Sequence, residues 1–200
     1  MRGAGFGIVV VLVGQFCVLP RLALAAPAAR QEAEDESLDP VSPSTMYSAC
    51  QEIFLQKSTA GGAFGSWNSA QAGINPVDRV DFIPPLVIDA AHSSTLYFGD
   101  TAGHIFRTAN RGAGWDDITG NLPNVPVNGV VVNAAKPAQI FVGTDIGVFY
   151  SSTSGNTWTS LVDGLPRAAV TGLVLDSVTK TLRATTYGRG AWDIKIATLR

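Results

Sequence analysis

The sequence predicts an all-β, β-propeller-like chain of about four blades, each a four-stranded antiparallel sheet. Three observations predict it. A pattern of short apolar strands recurs with successive starts 50, 44 and 42 residues apart, at Pro43, Ser93, Pro137 and Thr179. Glycine (21) and proline (11) are frequent enough to break the chain into many turns. No stretch of the repeating region carries the period of an amphipathic helix. A repeat in the low-to-mid forties, with four strands per repeat, is the spacing of propeller blades.

The chain reads in order as follows. Arg2 and the apolar run "GFGIVVVLVGQFCVLP" precede the small residues Ala23, Leu24 and Ala25. That is the layout of a secretory signal peptide over residues 1–25, cleaved before Ala26. The run is shorter than the about 20 apolar residues a spanning helix needs. Cys17 follows the bulky Phe16, which argues against lipid attachment. Residues 26–42 read as an acidic, solvated leader, with Glu32, Glu34, Asp35, Glu36 and Asp39 close together. Residues 43–200 form the repeat domain.

The net charge of −2 becomes −4 once Arg2 and Arg21 leave with the signal. With no basic patch, nucleic acid is not expected as a partner. One cysteine, Cys50, remains after cleavage, so no internal disulfide is expected and Cys50 reads as a small core residue. With His92 and His104 the only histidines and no Cys-x-x-Cys, neither a metal site nor a cofactor is expected.

Within each repeat a short strand ("TMYSA", "TLYFG", "QIFVG", "TLRAT") is followed by a turn and a second strand ("EIFLQKS", "HIFRT", "GVFYS", "AWDIKI"). The last three repeats have an upstream strand as well: "PPLVIDAA", "NGVVVNAA" and "TGLVLDS". "WDDI" and "WTSL" supply short outer strands. The first repeat shows no clear inner strand and the last shows no outer strand; "SLDPVS" is a poor candidate for an N-terminal strand that would complete the last blade and close a ring. The chain is therefore either a compact four-bladed ring, a partial ring completed by another copy, or a shortened relative of a larger propeller.

Polar turns ending in tryptophan punctuate the repeats. In "SSTSGNTW" the hydroxyls of Ser151 and Thr153 can bond the turn's own amides, Gly155 supplies a positive φ, and Thr157 leads into Trp158. "TANRGAGW" offers Thr108, Asn110, Gly112 and Trp115. "STAGGAFGSW" offers Ser58, Gly62 and Trp67. The tryptophan is expected to pack beneath its turn, with its indole N–H on a backbone carbonyl.

These turns resemble the Asp-box, or bacterial neuraminidase repeat, Ser-x-Asp-x-Gly-x-Thr-Trp. Asn110, Thr153 and Ala60 stand where that motif has aspartate, and Trp67 falls two residues late. The resemblance covers roughly residues 43–196 and extends to secreted bacterial propellers. The same repeat occurs in sialidases, xyloglucanase-type glycoside hydrolases, sortilin-type receptors and photosystem assembly factors, so it implies a fold rather than an activity.

The residues do not assemble a sialidase site. Beyond the leader Glu52 is the sole glutamate, and Tyr47 and Tyr97 occupy one repeat position, as packing residues do. Asp89 and Asp176, with Asn133 between them, close the inner strands in register. Asp100 and Asp145 lie in the next turn and could line a channel. In "YGRGAW", Arg189 sits between two glycines, where it could bind an anion or pair with an aspartate of a neighbouring blade. The expectation is a secreted or periplasmic, non-enzymatic binding or assembly surface, with no membrane contact after cleavage. Its partner is a protein or carbohydrate ligand, with self-association able to complete the ring. The alternatives are a glycoside hydrolase-like or carbohydrate-binding protein using channel carboxylates, and a degenerate fragment of a larger propeller.

Overall fold

The computed structural model describes residues 36–50, 54–75, 84–162, 164–196 and 199. The signal segment, most of the leader, Glu52, Arg79, Asp163, Arg200 and the side chain of Cys50 lie outside the described residues.

Four antiparallel sheets follow one another along the chain. Blade 1 contains β1 (Glu36–Leu38), β2 (Met46–Cys50), β3 (Phe54–Ser58) and β4 (Asn68–Ser69). Blade 2 contains β5 (Leu86–Ile88), β6 (Leu96–Gly99), β7 (Ile105–Thr108) and β8 (Asp116–Asp117). Blade 3 contains β9 (Val127–Val132), β10 (Ile140–Thr144), β11 (Gly147–Ser151) and β12 (Thr159–Ser160). Blade 4 has three strands, β13 (Val170–Asp176), β14 (Thr181–Thr186) and β15 (Gly190–Lys195), and no outer strand joins its sheet among the described residues.

Blade 1 corrects the sequence reading at one point. Its inner strand exists, and it begins at Glu36, inside the stretch expected to be leader. The reason is a turn that repeats in every blade. After each inner strand an Asx side chain accepts amides two or three residues on. Asp39 Oδ1 accepts from Val41 and Ser42 at 2.8 and 3.1 Å. Asp89 Oδ1 accepts from Ala91 at 2.8 Å, Asn133 Oδ1 from Ala135 at 3.1 Å, and Asp176 Oδ1 from Val178 at 2.8 Å. Leu38-Asp39 is thus the first copy of Ile88-Asp89, Val132-Asn133 and Leu175-Asp176. Asp39 is buried, unlike the solvated acids expected around it.

The core consists of three interblade clusters. Tyr47, Ala49 and Leu55 of blade 1 pack on Leu96, Phe98 and Phe106 of blade 2. Tyr97 and Ile105 pack on Ile140 and Val142. Phe141 and Val148 pack on Leu182 and Ala184. Alternation along each strand therefore gives blades 2 and 3 two apolar faces, one toward each neighbour. Close approach at these interfaces requires glycine: a Cβ on Gly99 would lie 2.4 Å from Val127. Among the described residues no cluster joins blade 4 to blade 1, and none covers the far side of blade 4. The side chains of Arg183 and Asp193 there are 60% and 47% exposed. The described residues form an open arc of a propeller.

The polar turns between third and fourth strands use their side-chain oxygens on their own amides. Thr108 Oγ1 accepts from Gly112 N–H at 3.1 Å, and Asn110 Oδ1 from Gly114 N–H at 2.9 Å. Ser151 Oγ and Thr153 Oγ1 accept equivalently from Gly155 and Thr157 at 2.9 and 3.0 Å. In blade 1 Ser58 Oγ still accepts from Gly62 at 3.1 Å, but Ala60 has no side-chain oxygen, and Ser66 closes the turn against Ser58 at 2.6 Å instead.

The tryptophans of blades 2 and 3 donate to a backbone carbonyl, but to one in the preceding blade rather than in their own turn. Trp115 Nε1 donates to the carbonyl of Ala70 at 2.6 Å, and Trp158 Nε1 to that of Ile118 at 3.0 Å. Ala70 and Ile118 each follow the outer strand of the blade before. The turns dock there too: Trp115 N–H donates to Ala72, and Trp158 N–H to Asn121 Oδ1 at 2.6 Å. Gly155, at φ 94°, lies so close to Ile118 that an added Cβ would meet it at 2.8 Å. Among the described residues no blade precedes that of Trp67, and its buried Nε1 has no hydrogen-bond partner among them.

Candidate functional site

The loops joining second and third strands lie on one rim of the arc, and they carry all three candidate binding residues. Their chemical states differ. Asp100 is buried, and His104 occupies both of its oxygens: the backbone N–H at 2.7 Å and Nδ1 at 2.8 Å. Its carbonyl accepts from Val127 N–H at 2.9 Å, which ties blade 2 to blade 3. Asp100 is therefore a turn residue. Asp145 is exposed, and its Oδ1 accepts from Asn128 Nδ2 at 2.8 Å. The same amide donates to the carbonyl of Val170 at 3.1 Å, so this pair bridges blades 3 and 4.

Arg189 is exposed in the hairpin between β14 and β15. The neighbouring-blade ion pair expected of it is not seen among the described residues. Its carbonyl instead accepts from Trp192 Nε1 at 2.8 Å. The arginine of this blade that does pair is Arg183, through two bonds to Asp193 at 2.7 and 2.8 Å in the same sheet. The hairpin also carries two exposed aromatic rings: Tyr187 is 81% exposed and Trp192 39%. Sequence reading singled out Arg189 here but not these rings. The signal was available, because Tyr187 stands at the repeat position of the exposed Asp145.

On the opposite rim the Asx turns use their acids internally. Hydrogen bonds from Thr179 and Val178 hold Asp176 below the usual carboxylate range. Asp89 Oδ2 lies 3.1 Å from His92 Nδ1. Near blade 2, Asp39 Oδ2 is buried 3.8 Å from Arg111 Nη2, and the Arg111 carbonyl accepts from Tyr47 Oη at 3.3 Å and Lys57 Nζ at 3.1 Å. Burial first, and the charge of Asp39 second, push the Tyr47 phenol up to about 12. Burial lowers Lys57 from its ordinary value, aided by Arg111. Among the described residues no three His, Cys, Asp or Glu side chains lie close enough to share a metal ion. Nor, among them, is any helix long and apolar enough to cross a membrane.

Two clefts open along the outer edges of the blades. One, of about 230 Å³, lies between the outer strand of blade 1 and the polar turn of blade 2, and includes Lys57, Ser69 and Arg111. The other, of about 470 Å³, lies at the same place between blades 3 and 4, and includes Tyr150, Leu161, Val162 and Ile194.

No family model matches the chain, and no curated protein matches it in sequence. Solved structures do match in fold. A GH74 enzyme from Niastella koreensis aligns with TM-score 0.63 and 19% identity over 82% of this chain and 29% of its own. The GH74 xyloglucanase from Xanthomonas campestris aligns with TM-score 0.64 and 16% identity, again over 82% and 29%. The computationally designed Ika8 protein aligns with TM-score 0.56 and 13% identity over 78% of this chain and 45% of its own. The chain thus spans less than half the length of each of these structures. The likeness identifies the class: an all-β chain built as part of a β-propeller.

Proposed function

We propose that this chain is a secreted or periplasmic, non-enzymatic propeller arc of the Asp-box repeat class, acting as a binding or assembly surface. The observation that carries the reading is the fate of the repeated acids. Asp39, Asp89, Asp100 and Asp176 all accept hydrogen bonds within their own turns. A general acid or base must instead face a substrate proton, and hydrolysis of a glycoside needs two such carboxylates across one bond. The test is turnover. The purified mature protein is expected to leave a panel of sialosides and β-glucans intact. Hydrolysis that disappears in Asp145→Asn, with the fold retained, would overturn the reading and favour a glycoside hydrolase.

A second reading, carbohydrate binding without cleavage, is favoured by the Tyr187–Trp192 hairpin. Exposed rings stack on the apolar faces of sugars, and a guanidinium between them can bond hydroxyl or carboxylate groups. The fold likeness to GH74 enzymes makes xyloglucan oligosaccharides the first probe. Titration calorimetry is expected to show binding that Tyr187→Ala weakens about tenfold, the effect of losing one aromatic contact.

A further inference from the structure

We propose that the cleft between blades 3 and 4 is a docking groove for a tryptophan-terminated polar turn, Ser/Thr-x-x-x-Gly-x-x-Trp, presented by a partner protein. The chain itself supplies two templates for the occupant. Beyond the outer strand of blade 1, Ala70 and Ala72 receive the indole and the backbone of Trp115. Beyond the outer strand of blade 2, Ile118 and Asn121 receive Trp158 in the same way. Beyond the outer strand of blade 3 the equivalent residue is Leu161. It is built identically: its N–H donates to Val148, as those of Ala70 and Ile118 donate to Leu55 and Ile105.

Among the described residues no indole reaches Leu161. The one tryptophan of blade 4, Trp192, is turned to Arg189. The cleft is correspondingly larger, about 470 Å³ against about 230 Å³ where the turn of blade 2 is in place. Its apolar surface comes from Val162, Ile194 and Leu199 beside the buried Leu161, with Val162 48% exposed. The groove therefore continues an interface that the same chain makes twice, and it shares that interface's chemistry: an apolar seat for an indole beside a main-chain acceptor.

A second copy of this chain is a poor occupant. Trp115 and Trp158 are already buried in their own docks, the indole nitrogen of Trp67 is buried too, and the exposed Trp192 spends its indole N–H on the carbonyl of Arg189 in its own hairpin. The occupant must bring its own tryptophan. Peptide recognition of this kind reuses a contact already built into the fold.

The test uses a fluorescent peptide with the sequence of residues 151–161, SSTSGNTWTSL, titrated against the full mature chain and followed by anisotropy. The expected result is saturable binding, weakened about tenfold by Trp→Ala in the peptide and by Val162→Glu in the protein. Val162 is exposed, so far-UV circular dichroism should show that this variant folds. A second arm removes any shortfall in affinity by appending the same segment after Arg200 through a flexible linker, which raises its local concentration. The tryptophan form is expected to melt about 3 °C above the alanine form. Equal binding of the Trp and Ala peptides, or binding indifferent to Val162→Glu, would overturn the proposal. So would absence of peptide binding together with equal melting of the two fusions. None of these outcomes bears on the rim hairpin, whose residues are unchanged throughout. Stoichiometric self-association of the peptide-free protein that Val162→Glu abolishes would assign the groove to a second copy and also overturn the proposal.

Discussion

The three interfaces between blades and the outward faces of the first and last blades share one backbone register but carry opposite side chains. On the face each blade turns to its successor, paired positions hold Tyr47 with Lys57, Tyr97 with Arg107, and Phe141 with Tyr150. In blade 4 the same pair is Arg183 with Asp193. Beside it, Thr185 and Ala191 replace Gly143 and Val148. On the face turned to the predecessor, blades 2 and 3 pair Phe98 with Phe106 and Val142 with Phe149, while blade 1 pairs Ser48 with Gln56. Repeat arrays need polar outer faces on their terminal units, since an apolar face without a neighbour associates indiscriminately. Self-association through blade faces, which the repeat pattern alone suggests, meets polar side chains at both ends of this arc.

The largest effect expected from this contrast lies in the first interface. Phe98 is fully buried between Phe106 and Trp115, with ring centroids 6.4 and 6.3 Å away. Phe98→Ala should cost about 3–5 kcal/mol, as core aromatic truncations do. Val174→Ala, on the open face of blade 4, should stay within about 0.5 kcal/mol. Urea unfolding of both variants measures the difference. Equal losses would mean that the outer face of blade 4 is covered in solution.

The tryptophans sharpen the comparison at the level of one hydrogen bond. Trp158→Phe removes the indole donor and leaves the buried carbonyl of Ile118 without it, an expected loss of about 1–3 kcal/mol. Trp67→Phe deletes a buried N–H that has no partner among the described residues, so it should be neutral or slightly stabilising. A loss at Trp67 equal to that at Trp158 would show that something outside the described residues accepts its proton.

The blade count and the strand order within each repeat were legible because period-2 alternation and turn residues are local signals. The inner strand of blade 1 was not. Its Leu38-Asp39 copy lies within a run of acids, where charge density outweighs a two-residue match. The destination of each tryptophan was hidden for another reason. Spacing shows that Trp115 follows a turn, but not that Ala70, 45 residues earlier, lies beneath it. Of the candidate binding residues, Asp145 and Arg189 are exposed. Asp100 looked the same in sequence and is sequestered by His104, four residues on.

The first interface should also be pH-sensitive in a way the last face is not. The Tyr47 phenol is raised from 10.0 to about 12, so the folded state keeps its proton over a range in which the unfolded chain has lost it. Stability from this group is full below pH 10 and is lost as pH rises from 10 toward 12, a change on the order of 2 kcal/mol. Tyr47→Phe should flatten that part of the alkaline profile while leaving the contribution of Tyr97, also raised by burial. At the outer face the sign is opposite. Hydrogen bonding to Arg183 holds Asp193 below its ordinary value, so its contribution is present at neutral pH and fades in acid. Being exposed, the pair should leave only a faint mark on an acid titration.

The smallest change in stability should accompany the clearest change in behaviour. Blade 3 presents Phe141 and Tyr150 to blade 4, and the two rings stack with centroids 6.2 Å apart. The double variant Arg183→Phe, Asp193→Tyr gives blade 4 that same pair in the same register, with nothing to cover it. Removing an exposed ion pair alters folding little, and β-sheet propensity rises with both new rings. Association is what should change. In light scattering the natural chain is expected to stay monomeric, while the variant forms dimers or larger species that grow with concentration. Adding only Arg183→Ala would remove the charge without creating a ring and should leave the mass unchanged. If the double variant also stays monomeric, polarity is not what blunts this face, and the bulk of Thr185, where blades 2 and 3 carry Gly99 and Gly143, becomes the cause to test.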